Sequence, residues 1–595
     1  MFPISNGMNT KTENKICQNC SQNFTIEAED FNFYEKIKVP SPTFCPDCRL
    51  QRRMAFRNER TLYKRKCDIC EKDIISLYPA SVSFPVHCNS CWYGDKWDAN
   101  SYGQAYDSSK NFFAQFKELL SKVPRPALIG DSNVNSPYVN YAANLKNCYL
   151  VNCSDTCEDS AYCDRTFHSK DSFDCFGVAN SEFCLETNQT IKSYRLAYAD
   201  NCENSMNSVG IKDCKNVVDS MFSINLRNKT NFLFNEQVTK EQYEEERTKM
   251  GSYAKLSASI KKFGELALTM PHRFADNVLA VDSTGNDLVN TRNCIDCFFV
   301  RNSENLKYGY FCSNIKDSRD FNFADNAELV YESSNIEQNY NKLFSTTCWY
   351  SNNVSYSDLS MSSSDLFGCV SLNKKKYCIL NTQYSKEEYE TLKEQITKDM
   401  SQNAYTDASG IAYTYGEFFP AEISPFAYNE TIAQDHFPLS KDEVLKKGYA
   451  WKEEEEKNYS ITKHSGKIPD EISLAGEEIV SDVIECGHKS DCNHQCTKAF
   501  RIIPKELQFY KQMNMPLPRF CPNCRYRLRL ERRKPLKLWK RECGCSGSHS
   551  QGGLYQNTAT HAHGEGKCGA VFDTPYSPDK PEIIYCEDCY NKEIY

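Results

Sequence analysis

The 595-residue sequence has little of what usually announces an activity. No run approaches the roughly 20 consecutive apolar residues of a membrane-crossing helix. The opening stretch, MFPISNGMNTKTENK, holds no apolar core of the kind a secretory signal requires. There is no HExxH, no phosphate-cradling GxxxxGK[ST] loop and no Ser-His-Asp arrangement. Histidine is scarce, at 10 residues, so general bases and imidazole ligands are few. A search for an active site therefore has nowhere to start, and the chain reads as non-enzymatic. An excess of positive charge is missing too. The formal net charge of -8 argues against wholesale nucleic-acid binding, although the charges are segregated and the arginine-rich stretches run against the average.

Cysteine, by contrast, is abundant at 32 residues. Without a secretory leader the expected compartment is a reducing cytoplasm, where paired thiols read as metal ligands rather than disulfides. Cys17, Cys20, Cys45 and Cys48 form one set of two CxxC pairs, and Cys67, Cys70, Cys88 and Cys91 a second. Two CxxC turns supply the four thiolates of a Zn2+ tetrahedron; four thiolates hold iron as well. A site filled by four cysteines is closed, with no position left for a substrate.

The stretch FCPDCRLQRRMAFRNERTLYKR, ending at Arg65, recurs as FCPNCRYRLRLERRKPLKLWKR, ending at Arg541. No gap is needed from Cys20/Cys496 to Cys67/Cys543, and Phe33-Tyr34 meets Phe509-Tyr510. The same double-zinc module is thus expected at both ends. In the second copy the expected ligands are Cys492, Cys496, Cys521 and Cys524, with Cys486, His488 and His494 as rivals. The last set is Cys543, Cys568, Cys586 and Cys589, with residues 546–567 inserted; Cys545, His549, His561 and His563 are its alternatives. About four Zn2+ ions per chain are expected.

A helix is expected after Cys48, with Arg49, Arg53, Arg57, Arg60 and Lys64 on one face; Arg525, Arg529, Arg533 and Lys540 are their counterparts. Beside a zinc knuckle such a stripe suits phosphate, and Tyr63 is placed to stack on a base. The leading functional expectation is therefore binding of RNA or DNA backbone. Its alternative is a protein-interaction or assembly scaffold with purely structural zinc, in which the arginines meet an acidic partner or the chain's own acidic middle. A third reading is a carbohydrate-active β-helix using clustered carboxylates. No small-molecule substrate is identified.

The middle of the chain repeats on two scales. Lys146-Asn147-Cys148, Glu158-Asp159-Ser160, Lys170-Asp171-Ser172 and Glu182-Phe183-Cys184 stand 12 residues apart, with Asn, Asp and Ser at the corners of short β-forming runs. That pattern predicts a β-solenoid, although it drifts near Lys192 and Glu203. At an offset of 146, Asp174 and Glu186 meet Asp320 and Glu332, and Thr239-x2-Gln242 meets Ser385-x2-Glu388, two capping boxes. The solenoid's 14 cysteines are mostly singletons and read as stacked core.

The expected fold is mainly β, a duplicated parallel β-helix-like solenoid flanked by zinc-ribbon or treble-clef-like modules. Its parts are a flexible tail (1–16), a double-zinc module (17–105), a linking helix (106–128), a first solenoid half (129–235), a helical appendage (236–280), a second half (281–381), a helix and mixed linker with a charged run at Lys452–Lys457 (382–485), and a second double-zinc module (486–595).

The segment FTIEAEDFNFYEKIKVPSPTFCPDCR, preceded by CQNC, resembles the family called the probable zinc-ribbon domain. The longer run FRNERTLYKRKCDIC, with HCNSCWYGDKWDA and NLKNCYL, is similar to large zinc-binding proteins of uncultured candidate-phylum bacteria. The resemblance implies zinc binding, with Cys17, Cys20, Cys45 and Cys48 as ligands, and implies no particular activity.

Overall fold

The computed structural model describes residues 12–453, 459–489 and 491–595. The chain divides into two compact units, and their composition is crossed. One joins Met1–Leu128 to Ala275–Glu453; the other joins Ile129–Phe274 to Glu454–Tyr595. Each cysteine-rich end therefore shares a unit with the middle segment more distant from it in sequence. Both units are built mainly of sheet.

In the unit holding Ile129–Phe274, the chain pairs in parallel with itself at a constant offset. Lys146 pairs with Glu158, Glu158 with Lys170, and Lys170 with Glu182. The offset of 12 persists where the sequence pattern drifts: Ile191 pairs with Glu203 and Glu203 with Lys215. The drift is therefore in residue type and not in register. The second unit carries the same offset, with Tyr340 on Asn352, Asn352 on Ser364 and Ser364 on Lys376.

Within each 12-residue period the backbone shows a finer one. Every third residue has positive φ, as at Asn144, Asn147, Leu150, Cys153, Thr156, Asp159 and Tyr162. That left-handed conformation is costly for most side chains and easiest for Gly, Asn and Asp. Asparagine earns its corners by a second contact, since its amide bonds the residue one period on. Asn135 Nδ2 donates to Asn147 Oδ1 at 2.9 Å, and Asn147 Nδ2 to Asp159 Oδ1 at 3.0 Å. In the other unit Asn293 donates to Asn305, and Asn305 to Asp317.

The residue after each corner is buried. Cys148, Val151, Ser154, Cys157, Ser160, Cys163, Thr166 and Ser169 follow one another at intervals of three, all inside. Sides this short enclose a narrow interior, which suits small side chains. Serine also satisfies a backbone N–H there. Ser181 N–H donates to Ser169 Oγ, Ser193 N–H to Ser181 Oγ and Ser205 N–H to Ser193 Oγ, at 3.0–3.2 Å, while each hydroxyl donates to the carbonyl two residues back. Cysteine mimics this: Cys163 and Cys175 Sγ each lie 3.2 Å from the carbonyl two residues back, Ala161 and Phe173.

Each ladder ends in a capped helix. Thr239 Oγ1 accepts from Gln242 N–H ahead of Lys240–Thr248, and Ser385 Oγ from Glu388 N–H ahead of Lys386–Gln402; both capping boxes are complete. The helix Phe112–Leu120 packs its aromatic face on the ladder of its unit, with Phe112 5.5 Å from Tyr356 and 5.2 Å from Phe367 between ring centres. Part of the expected N-terminal tail is structured, since Glu13–Ile16 is a strand paired with Asn23–Ile26. Most of the charged run after Lys452 lies outside the described residues. Among the described residues, no helix is long and apolar enough to cross a membrane.

The interior also takes larger apolar residues, such as Phe321 and Leu366, and at one place a lysine. Lys342 occupies an inward place, is fully buried, and donates from Nζ to the Cys348 carbonyl at 2.6 Å. Burial pushes its pKa down to about 8. The unfolded chain then binds the proton more tightly, so the lysine is a liability below pH 8 that fades as pH rises from about 8 to about 10.5. Lys342→Met is expected to stabilise this unit at pH 7 by on the order of 3 kcal/mol, and to flatten the rise in denaturation midpoint that the unaltered protein shows between pH 8 and 10.

Candidate metal centres

The module that opens the chain has a hairpin whose turn carries the first two ligands and a helix whose N-terminus carries the other two. Strands Glu13–Ile16 and Asn23–Ile26 flank Cys17 and Cys20. Cys45 is the N-cap of helix Pro46–Met54, Pro46 is its first residue, and Cys48 lies in its first turn. This places two thiolates at the positive end of a helix dipole. The plan is repeated at Cys67/Cys70 with Cys88/Cys91, where Cys88 caps Asn89–Trp92. It recurs at Cys521/Cys524, where Cys521 caps Pro522–Arg532, and at Cys586/Cys589, where Cys586 caps Glu587–Ile594.

A shared hydrogen bond identifies equivalent ligands. The N–H of the third ligand donates to the sulfur of the first: Cys45 to Cys17 at 3.2 Å, Cys88 to Cys67 at 3.3 Å, Cys521 to Cys486 at 3.2 Å and Cys586 to Cys543 at 3.2 Å. Every cysteine is a free thiol. Sulfurs within the sets stand 3.7 Å apart at Cys20–Cys45, 3.8 Å at Cys70–Cys88, 3.9 Å at Cys496–Cys521 and 3.9 Å at Cys568–Cys586. A tetrahedron with Zn–S bonds of about 2.3 Å has edges of about 3.8 Å. Each set thus fits a zinc ion; four cysteines would hold it with no open position.

The sets Cys17/Cys20/Cys45/Cys48, Cys67/Cys70/Cys88/Cys91 and Cys543/Cys568/Cys586/Cys589 gather as expected from sequence. The remaining set requires a correction. Cys486, not Cys492, completes the group with Cys496, Cys521 and Cys524. The reason is an insertion inside the knuckle. Cys17 N–H bonds the carbonyl of Gln22 and Cys67 N–H that of Lys72, each five residues on, whereas Cys486 N–H bonds Lys498, twelve on. Ungapped alignment from Cys496 backwards cannot cross that insertion. Strand Ile484–Glu485, paired with Ala499–Phe500, is the local signal that marks Cys486, because it precedes that cysteine as Glu13–Ile16 precedes Cys17. Cys492 falls in a second cluster with His488, His494 and Cys524. In the last module, His563 Nε2 lies 3.5 Å from Cys589 Sγ, while His561 bonds Glu593 and His549 bonds the Ser550 carbonyl.

The arginine faces need a larger correction. The first helix stops at Met54, so Arg57, Arg60 and Lys64 do not continue its stripe; Tyr63–Lys66 is a strand paired with Asp73–Ser76. Arg49, Arg52 and Arg53 are buried. Arg49 reaches Asp320 at 2.9 Å, Arg53 reaches Glu332 at 2.9 Å, and Arg52 bridges Glu332 and Glu417 at 3.3 and 3.2 Å. Arg57 is also buried, held by Glu59 at 2.6 Å and lying 3.8 Å over the Phe323 ring. In the other unit Arg525 reaches Asp174 at 3.1 Å and Glu506 at 3.1 Å, and Arg529 reaches Asp174 at 2.9 Å and Glu186 at 3.2 Å. Arg533 sits 3.3 Å over Phe176. Lys64 and Lys540 are exposed and Arg60 partly so; Tyr63 is covered by Lys452 at 4.5 Å. Phosphate cannot reach the central arginines, because carboxylates of the same unit already hold them.

Burial opposes charge on both sides of these pairs; the pairing overcomes it for Arg49 and offsets only part of it for the carboxylates. Arg49 is buried, yet Asp320 and its neighbours hold its pKa well above the ordinary value. Burial pushes the Asp320 carboxyl up while Arg49 and Arg53 pull it down. Glu506, buried beside Arg525 and Asp174, is pushed up to about 7 by desolvation.

No protein-family model matches this chain, and no curated protein matches it either.

Two sets of variants test these assignments. Removing one side of a buried ion pair strands the other, at a cost of about 3–5 kcal/mol. Arg53→Ala should therefore destabilise the unit containing Asp320, and Arg529→Ala the unit containing Asp174, each by that amount and with little salt dependence, as read by hydrogen exchange resolved along the chain. Cys48→Ser should cost one metal ion per chain, whereas Cys163→Ser should keep the full metal content, because serine already occupies equivalent ladder positions; elemental analysis on both distinguishes ligand from core.

Proposed function

We propose that this chain is a zinc-stabilised, non-enzymatic scaffold for protein partners. In this reading each 12-residue ladder is a β-solenoid, and the terminal modules, of the zinc-ribbon kind, clamp the solenoids from the side. The constant parallel offset and the corner residue at every third position support the solenoid reading. The observation that carries the functional proposal is the internal use of the arginine faces. Arg49, Arg53, Arg525 and Arg529, the natural phosphate contacts, are joined to Asp320, Glu332, Asp174 and Glu186. The same pairing argues against the carbohydrate-active reading, whose clustered carboxylates would have to face a groove and not a guanidinium. Sets of four cysteines favour structural over catalytic zinc, and the free thiols favour a cytoplasmic setting.

Binding of the zinc-loaded protein to labelled single- and double-stranded RNA and DNA across a salt series tests this, alongside a Lys64→Glu/Lys540→Glu variant. Weak retention, indifferent to that variant, is the expected result. Tight binding that falls steeply with salt and disappears in the variant would instead establish a nucleic-acid protein working through the exposed lysines.

A further inference from the structure

The insertion at residues 487–495 sets this knuckle apart from the tight turns at Cys17 and Cys67. It brings His488, Cys492 and His494 against Cys524, one ligand atom from each lying within 4.8 Å of the others. Cys524 Sγ is 3.8 Å from Cys486 Sγ on one side and 3.8 Å from Cys492 Sγ on the other, one tetrahedral edge each way. We propose that this module is a two-metal centre in which the Cys524 thiolate is shared: one ion is held by Cys486, Cys496, Cys521 and Cys524, the other by His488, Cys492, His494 and Cys524. The inference rests on the zinc reading above and deepens it.

Donor number supports the assignment. Two tetrahedra that share a corner need seven donors, and these two clusters together contain seven residues. Neither ion is left with an open position, so the second site, like the first, is structural. Charge supports it as well. Four thiolates around one divalent ion leave an excess of two negative charges in a buried place; five thiolates around two divalent ions leave one.

The histidines are poised for metal. The Nδ1 atoms of His488 and His494 are buried and have no hydrogen-bond partner, an expensive arrangement for a ring nitrogen with nothing to bind. His494 Nε2 lies 3.3 Å from Glu531 Oε1, the kind of carboxylate that fixes a ligating imidazole and leaves its other nitrogen free for the ion. His488 is held by its neighbours, with ring centres 4.3 Å from Phe520 and 5.0 Å from His494. The first module shows the alternative. There Cys48, the counterpart of Cys524, accepts a hydrogen bond from Asn19 Nδ2 at 3.2 Å. A side-chain amide thus occupies the flank of the sulfur where Cys524 instead faces Cys492.

The test uses the full chain loaded with Co2+, with ions counted by native mass spectrometry and spin coupling read by low-temperature EPR. A thiolate-bridged pair couples antiferromagnetically. The unaltered protein should therefore show less EPR intensity than its ion count demands. Cys492→Ser, which leaves the four-cysteine set intact, should bind one ion fewer and recover full intensity per ion. An equal ion count in the two proteins, or full intensity per ion in the unaltered chain, would overturn the shared-thiolate centre while leaving the zinc reading standing. Failure of the chain to take up Co2+ with thiolate charge-transfer absorption would overturn both.

Discussion

The pairing of buried arginines with buried carboxylates is the constraint on which each unit depends. Taking a guanidinium and a carboxylate out of water costs several kcal/mol apiece, and only close, multiply bonded partners offset it. In one unit Arg49 and Arg53 engage Asp320 and Glu332; in the other Arg525 and Arg529 engage Asp174 and Glu186. Geometry this specific fixes where a four-cysteine module sits on a ladder more sharply than apolar packing would. The metal sites contribute indirectly. Cys45 and Cys521 cap the helices that carry these arginines, so the thiolates also fix the helix from which the guanidinium groups reach out.

The ladders solve a different problem. A turn at every third residue forces left-handed backbone on Leu150, Tyr162 and Phe183 as well as on asparagine and aspartate. Part of the compensation is repetition. Corner amides such as that of Asn135 find partners one period on, and inner serine hydroxyls such as that of Ser169 accept from an N–H one period on. A single repeat would satisfy few of these groups, so the ladder gains stability from neighbouring periods. Serine and cysteine alternate inside because a hydroxyl and a thiol make the same short bond to the carbonyl two residues back.

Much of this was legible in the sequence, but in pieces. The 12-residue spacing was visible from Lys146, Glu158 and Lys170, because charged and polar residues recur at matching places. The underlying period of three was hidden, since the inner positions accept Cys, Ser, Thr, Val and Ala alike and so carry no single signature. Two of the four-cysteine sets followed from CxxC spacing, and a third from alignment of Cys543, Cys568 and Tyr576 with Cys67, Cys70 and Tyr78. The fourth misled because a seven-residue difference in the knuckle slides Cys492 into the place where Cys486 belongs. The arginines were the hardest case. Their repetition at both ends and the repetition of Asp174/Glu186 at Asp320/Glu332 were each visible, yet spacing along a chain does not say that two repeated sets are the two halves of one interaction. Glu417 left no trace at all, being a lone acid far from either repeat.

The crossed composition of the units carries a consequence for how the chain is made. Arg53 precedes Asp320 and Glu332 by well over two hundred residues, with the whole ladder of the other unit between them. At roughly 5–20 residues per second, the first cysteine-rich module waits on the order of ten seconds to a minute for its carboxylates to emerge. Over that interval its arginines face water, or anything acidic nearby, including the ribosome's own RNA. The first ladder is in the converse position, with Asp174 and Glu186 unmatched until the last module is synthesised. A nascent chain therefore passes through a basic stage and an acidic stage, although the finished units expose neither of these charge sets.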